Sequence, residues 1–314
     1  MKYKESSTAK RDRICAVVVT FNRKTLLEQC LTALLSQTRP LEEIIVIDNA
    51  STDGTEELIT TKFPNMTYIK LPENVGGSGG FHYGIKLAYE KGHDWIWVMD
   101  DDAIPMVDAL QKLADSPLMI RNDVYGLASS VVEQDGSILL IHRRLFDFKK
   151  VKEKPVDANK YGDEYFQVDT ASFVGLLISR TGVKEVGLPL KDLFIYFDDT
   201  EYSLRLRQKG MIFTVPASKV VHPRMWAHPR KSMRMRQPLT WRAYYSIRNG
   251  IYTYRKHGRP GLFFYIKVGG GLVLGVVVTL LFGQCKAQSV RIILCGTVDG
   301  LRGKLGRNSD FLPD

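Results

Sequence analysis

Over the first hundred residues, short apolar runs alternate with stretches of helical periodicity. Ile14 to Thr20 (ICAVVVT) is a β-branched run of the kind found in a strand buried on both faces. Arg23 to Gln37 follows, with Leu26, Leu27, Leu31, Leu34 and Leu35 at helical spacing and Asn22 placed as its cap. Glu43 to Asp48 (EIIVID) predicts a second strand, Thr55 to Lys62 a short helix and Met66 to Leu71 a third strand. Asn74 to Gly80 (NVGGSGG) reads as a glycine-rich loop leading into a helix from Phe81 to Lys91. Trp95 to Met99 predicts a fourth strand, which stops at Asp100-Asp101-Asp102.

Strands and helices joined by short polar turns predict an α/β fold with a mostly parallel sheet. In open sheets of that kind ligands gather at the carboxyl ends of the strands. Thr20-Phe21-Asn22, Asp48-Asn49, the glycine stretch and the aspartate triplet all fall at such ends, and their coincidence outweighs any one motif. Beyond Ala103 the pattern loosens. Val124 to Val132 and Ser137 to Ile141 predict strands, and Phe146 to Tyr165 a charged surface excursion. Thr170 to Ile178 predicts a strand and turn around Gly175, Leu193 to Gln208 an acidic cluster and then a helix. Met211 to Val215 and Lys219 to Val221 predict two short strands. The chain divides into an α/β domain over residues 1–235 and a basic, aromatic, helical region over 236–314. No internal repeat is visible.

Composition narrows the class. With 314 residues, 44% hydrophobic and 25% charged, the chain is globular and long enough for one large core. The net charge of +10 is uneven: no Asp or Glu occurs from Tyr202 to Val298, while Lys and Arg recur throughout. Such a block suits an anionic membrane surface, a phosphate-bearing substrate or nucleic acid. Salt-sensitive nucleic-acid binding is set aside because acidic strand-end clusters repel bare phosphates. Cys15, Cys30, Cys285 and Cys295 show no metal or disulfide spacing, as in a reducing cytosol, and MKYKESSTAKRDR has no signal-peptide core. Val268 to Phe282 is apolar or glycine except Thr279, between Lys267 and Lys286. At about 15 residues it falls short of a bilayer span, so peripheral attachment to the cytoplasmic membrane face is expected.

Four constellations carry chemistry. Adjacent carboxylates at Asp100, Asp101 and Asp102 repel one another unless a hard cation, Mg²⁺ or Mn²⁺, is present to bridge them to a diphosphate. NVGGSGGF fits neither a dinucleotide fingerprint nor a P-loop, yet its glycines permit close backbone approach to an anion. In Phe197-Asp198-Asp199-Thr200-Glu201, a carboxylate at a helix start can act as general base or merely cap the helix. His222, just after a strand, is a candidate metal ligand, in competition with His228. Trp241, Tyr244, Tyr245, Arg248 and Asn249 could stack on a sugar and hold phosphate, or could simply form a packed helix face.

Taken in order, VVVTFNR, VIDNASTDGT, VMDDDA and FDDTEYSLRLRQKG resemble the inverting family-2 glycosyltransferases of GT-A fold. NVGGSGGF together with DDD and FDDTEYSLR most resembles the bacterial galactofuranosyltransferases. The resemblance covers roughly Ile14 to His228. It implies a Rossmann-like GT-A sheet and transfer from UDP-galactofuranose to a lipid-linked cell-surface glycan. By the same resemblance Thr20, Asn22, Arg23 and Asp48 would line the nucleoside pocket. Asn74, Gly76, Gly77, Ser78, Gly79 and Gly80 would lie by the donor sugar and diphosphate, with Asp100 and Asp101 on the donor side. Asp100, Asp102 and His222 would hold Mn²⁺ or Mg²⁺. Asp199 matches the family's base, and Asp198, Glu201 and Trp226 would face the acceptor. A rhamnosyltransferase using dTDP-rhamnose shares several of these motifs. The acceptor, the linkage and any homo-oligomer are left open.

Overall fold

The computed structural model describes residues 12–223 and 238–312. Trp226, His228 and the boundary at 235/236 lie outside them. Strand β1 (Ile14–Thr20) is followed by α1 (Lys24–Leu35), β2 (Glu43–Asp48), α2 (Thr55–Lys62), β3 (Thr67–Lys70), α3 (Gly76–Glu90) and β4 (Trp95–Asp100). These strands pair in parallel, β3-β2-β1-β4, and β1 and β2 are buried on both faces almost throughout, as their unbroken apolar runs require.

The second half extends the sheet. After β5 (Ile104–Pro105) and α4 (Ala109–Ala114) come β6 (Val124–Val132) and the hairpin strands β7 (Arg143–Asp147) and β8 (Lys152–Pro155). Then follow β9 (Phe166–Val168), β10 (Thr170–Ala171), β11 (Leu176–Ser179), α5 (Arg180–Val186), α6 (Asp198–Lys209) and β12 (Met211–Val221). The sheet continues from β4 as β11-β6-β12-β5; β11 runs antiparallel to both neighbours, and β7, β8 and β10 form a small second sheet. The whole is a GT-A-like α/β fold with a helical C-terminal region: α7 (Trp241–His257), α8 (Leu262–Phe282) and α9 (Lys286–Arg302).

Five details depart from the sequence reading or add to it. The glycine stretch is not a loop ahead of the helix but its first turns, since α3 begins at Gly76. Packing explains the glycines: a Cβ on Gly80 would lie 2.4 Å from Val19 Cγ1, and one on Gly84 2.3 Å from Val17 Cγ1. Ser137 to Ile141 forms only a bridge from Ile138 to Val132, because the turn at Gly136 (φ 84°) runs straight into a tight helical turn at Leu140–His142. The stretch after Phe146 lies mostly at the surface as expected but is anchored, since Phe146 and Val151 are buried against Leu204 of α6 and Phe264 of α8. The two short strands after Met211 are one, with a register shift between Val215 and Lys219, where Ser218 Oγ turns in to Ala109 O at 2.8 Å. Finally, the apolar run at 268–282 is part of a 21-residue helix that starts at Leu262, because Lys267 interrupts the apolar pattern without breaking the helix. At 1.5 Å per residue it is about 31 Å long, so it matches a bilayer core by length and composition.

Candidate active site

The topology explains how distant residues meet. In the parallel register Val19 lies opposite Asp100, so the turn after β4 emerges beside Thr20. Thr20 Oγ1 donates to Asp101 Oδ2 at 2.8 Å, and Arg23 Nη1 reaches Asp101 Oδ1 at 3.2 Å and Asp102 Oδ2 at 2.8 Å. The same turn then enters β5, which pairs with the end of β12 (Ile104 opposite Val221), and so His222 is carried to the aspartates. Ligand atoms of Asp100, Asp102 and His222 all lie within 4.8 Å of one another.

That triad fits a divalent cation. Asp102 Oδ1 and His222 Nε2 are 3.0 Å apart. Yet Asp102 Oδ1 is buried and has no hydrogen bond of good geometry among the described residues. Two carboxylates and an imidazole converging on one point are a hard-cation donor set. Their electrostatics without a cation are strained. Burial and the Asp102 charge push Asp100 up to about 7, and burial pushes Asp101 up to about 6 against the pull of Arg23. Burial also opposes ionisation of Asp102, but His222 and Arg23 outweigh it and hold this carboxyl below its ordinary value. Burial disfavours a charged His222, yet Asp102 and Asp100 outweigh it and raise its pKa.

The second acidic cluster opens α6. Asp198 is buried, and its carboxyl is pushed up to about 8, by burial first and then by the charges of Asp199 and Asp100. The Asp100 charge is thus felt at the helix start, which makes the two acidic clusters neighbours in the fold. Asp199 is half-buried, with Oδ1 accepting from Thr200 N at 2.6 Å. Residues at the start of β7 bridge the two clusters: the His142 ring meets that of His222 edge-on at 5.4 Å, and Arg144 Nη2 donates to Thr200 Oγ1 at 3.0 Å. Buried Arg143 donates to Ser129 O and Val174 O. Sequence reasoning missed all three, because the IHRR segment carries no motif spacing and becomes legible only through the sheet.

Glu201 is placed elsewhere. Fully buried, it accepts from Arg205 Nε at 2.9 Å, from Lys256 Nζ at 3.2 Å and pairs with His257 Nε2 at 2.9 Å. It ties α6 to α7 and does not face the cleft. Asp48 is likewise fully buried, its Oδ1 accepting from Ser51 N at 2.8 Å and its Oδ2 from Tyr68 OH at 2.6 Å. Asn22 (φ 52°) does not cap α1; its Oδ1 accepts from Thr52 N at 2.8 Å and its N–H meets Ser51 Oγ, which joins the turns after β1 and β2. Asn74 Oδ1 accepts from Gly76 N at 2.8 Å, Ser78 N donates to Phe194 O at 3.1 Å, and Gly77 faces open space. Gly76, Gly79 and Gly80 fill the same first turns of α3. Arg248 and Asn249 turn away from the cleft, onto the segment before α6.

A sheet that gathers acidic strand ends and a histidine into a cation donor set defines a site suited to a phosphate-bearing ligand. The family model for glycosyl transferase family 2 matches residues 15–181. Galactofuranosyltransferase GlfT1 of Mycolicibacterium smegmatis is 30% identical over 215 residues, covering 67% of this chain and 70% of its own. The dTDP-rhamnosyl transferase RfbF of Shigella flexneri is 24% identical over 302 residues, 93% of this chain and 97% of its own. Among solved structures, GalNAc-T7 with UDP, GalNAc and Mn2+ superposes with a TM-score of 0.59 at 14% identity, over 94% of this chain and 57% of that one. A mannosyltransferase from Pyrobaculum calidifontis in complex with GDP-Man and Mn2+ gives 0.55 at 16% identity, over 94% and 88%. The chain belongs to glycosyl transferase family 2, and it is a hexosyltransferase of GT-A fold.

Proposed function

We propose that this enzyme transfers galactofuranose from UDP-galactofuranose, with inversion, to a hydroxyl of a lipid-linked cell-surface glycan. The observation that carries the reading is the convergence of Asp100, Asp102 and His222 as a cation donor set, with the Asp100 charge felt at the start of α6. Asp100, Asp102 and His222 would hold Mn²⁺ or Mg²⁺, which when bound neutralises charge on the departing nucleoside diphosphate. Thr20, Asn22 and Arg23 border the nucleotide end, with Asp48 shaping it from behind. Gly77 leaves room beside the donor sugar, and Asp101 is kept in place by Thr20 and Arg23. Asp199 takes the proton of the acceptor hydroxyl as that oxygen attacks the anomeric carbon from the face opposite the diphosphate. The bond from that carbon to the diphosphate oxygen breaks in the same displacement. Asp198 orients the acceptor from the adjacent position.

The C-terminal helices give the enzyme its place. Leu262, Phe263, Ile266, Val273, Leu274, Leu280 and Leu281 of α8 are each at least half exposed. Lys and Arg flank them with no carboxylate from Tyr202 to Val298. An apolar helix among cations is attracted to an anionic lipid surface, so α8 seats the enzyme on the membrane that carries a lipid-linked acceptor.

One observation favours a second donor: the rhamnosyl relative matches nearly its whole length, C-terminal region included. Purified enzyme given Mn²⁺, a lipid-linked acceptor extract and either UDP-galactofuranose or dTDP-rhamnose, read by mass increase, separates the two. Asp199→Asn should bind UDP–Mn²⁺ and lose about 10²–10⁴-fold in turnover; turnover near that of the wild type removes Asp199 from the role.

A further inference from the structure

The segment that leads into α6 is held in an unfavourable conformation. Phe194, Tyr196 and Phe197 have φ of 67°, 66° and 66°, the left-handed region that bulky side chains avoid. Three such residues within four positions persist only where the surroundings over-determine them. Here the surroundings are two side chains of α7. Asn249, fully buried, turns Nδ2 to Leu193 O (2.8 Å), Ile195 O (2.8 Å) and Tyr196 O (3.0 Å), while its Oδ1 accepts from Arg248 Nε at 2.8 Å. Arg248 adds bonds to Leu193 O at 3.1 Å and to Gly306 O at 2.6 Å, and its guanidinium lies 4.8 Å from the Tyr245 ring. It has no carboxylate partner in these contacts; apart from Nε on Asn249, its donors go to backbone carbonyls.

The pinned segment touches both halves of the site. Phe194 O accepts from Ser78 N, and a Cβ on Gly76 would sit 2.0 Å from that same oxygen, so the segment and the first turn of α3 fit only with glycine there. At its other end Phe197 O accepts from Glu201 N at 2.8 Å, and the next residues are Asp198 and Asp199. The direction of the first turn of α6 is therefore set by the strained segment, which in turn is set from α7.

We propose that Asn249, braced by Arg248, is a positioning residue for the transfer reaction: it fixes residues 193–197 so that Asp199 points into the cleft while Phe194 steadies the glycine turn. This rests on Asp199 being the base. It gives the C-terminal region a part in the chemistry beyond any contact with lipid.

The test uses the full-length enzyme with Asn249→Asp and Asn249→Ala. Aspartate keeps the volume and the bond to Arg248 but sets an oxygen against three carbonyls. Turnover, UDP–Mn²⁺ affinity and amide hydrogen exchange are measured on each. We expect turnover to fall on the order of 10²-fold, as misplacement of a reacting group does, with UDP–Mn²⁺ affinity unchanged. Exchange should rise in residues 192–200 and stay at the wild-type level in β1 and β4. Wild-type turnover in Asn249→Asp despite faster exchange at 192–200 overturns the proposal. Faster exchange spread equally through β1 and β4 also overturns it, since Asn249 would then serve only the fold. A wild-type enzyme inert toward every sugar nucleotide is a different outcome, which removes the transferase reading on which the proposal rests.

Discussion

Replacing Glu201 with glutamine separates an acceptor-binding role from a structural one. The carboxylate is fully buried, between Arg205, Lys256 and His257. Glutamine keeps its shape but removes the charge and turns an NH₂ toward groups that are themselves donors. Breaking one side of a buried ion pair costs about 3–5 kcal/mol. Arg205 retains the carbonyls of Val186 and Leu188, and Lys256 can turn to water, so the low end applies, about 3 kcal/mol. With a urea m-value of about 3 kcal/mol/M, the unfolding midpoint should drop by about 1 M. The pH dependence has a definite sign. Burial pushes the Glu201 pKa up, but the His257 hydrogen bond and the charges of Arg205, His257 and Lys256 outweigh it, leaving the group below its ordinary 4.5. Its contribution is therefore complete above pH 4.5 and is lost as pH falls through the folded value. Urea titrations followed by tryptophan fluorescence at several pH values should show a constant gap between wild type and Glu201→Gln above 4.5 that closes on acidification. An unchanged midpoint combined with a raised acceptor KM would refute this and return Glu201 to the acceptor.

Asp102→Asn should abolish Mn²⁺ binding measured by calorimetry, and EDTA should stop turnover of the wild type until metal is restored. Because Asp100 without a cation titrates near about 7 and the His222 pKa is raised, cation uptake must displace protons below neutrality. Mn²⁺ affinity should then rise from about pH 6 to about pH 8 with proton release, and a flat profile would contradict the donor set. Gly84→Ala places a methyl 2.3 Å from Val17 Cγ1 and 3.1 Å from Ile47 Cγ1, and should cost about 1–3 kcal/mol in urea unfolding. Leu274→Glu with Leu281→Glu on the exposed face of α8 should release the enzyme from sedimenting anionic vesicles while its fold is kept; equal co-sedimentation would remove α8 as the lipid contact.

The first half of the fold was legible because its chemistry is local. A β-branched run such as ICAVVVT, flanked by polar turns, has little alternative to a buried parallel strand, and its polar end marks the ligand edge. The aspartate triplet, His222 and Asp198-Asp199 stood out as candidates for the same reason: burying charge beside a strand needs a partner. What escaped was set by pairing across long separations. His142 reaches His222 only because its segment returns from β6, and nothing in IHRR announces that. Glu201 and Asp199 are two positions apart in one acidic string, yet Glu201 is fully buried among Arg205, Lys256 and His257 while Asp199 is only half-buried. The glycines pointed to close approach, but what approaches Gly80 and Gly84 is β1. For Arg248 and Asn249 the sequence left phosphate binding and a packed helix face open; they pack, with their donors on the carbonyls of the segment before α6.

The charge arrangement explains why the cleft is costly to leave empty. Asp101, Asp102 and Asp198 are buried with the half-buried Asp100 beside them, and among the described residues the countercharges paired with the triplet are Arg23 and His222. Burial, with the charges of neighbouring aspartates added, pushes Asp100 up to about 7 and Asp198 up to about 8, so that protons meet part of the balance. A diphosphate entering such a site alone would meet carboxylates, with Arg23 already tied through Nη1 to Asp101 and Asp102. Such a site favours a ligand that brings positive charge with it, as the proposed cation would. The same economy holds one step out, at residues 193–197, where a strained backbone is kept in place by α7 so that the acidic helix start need not move to be ready.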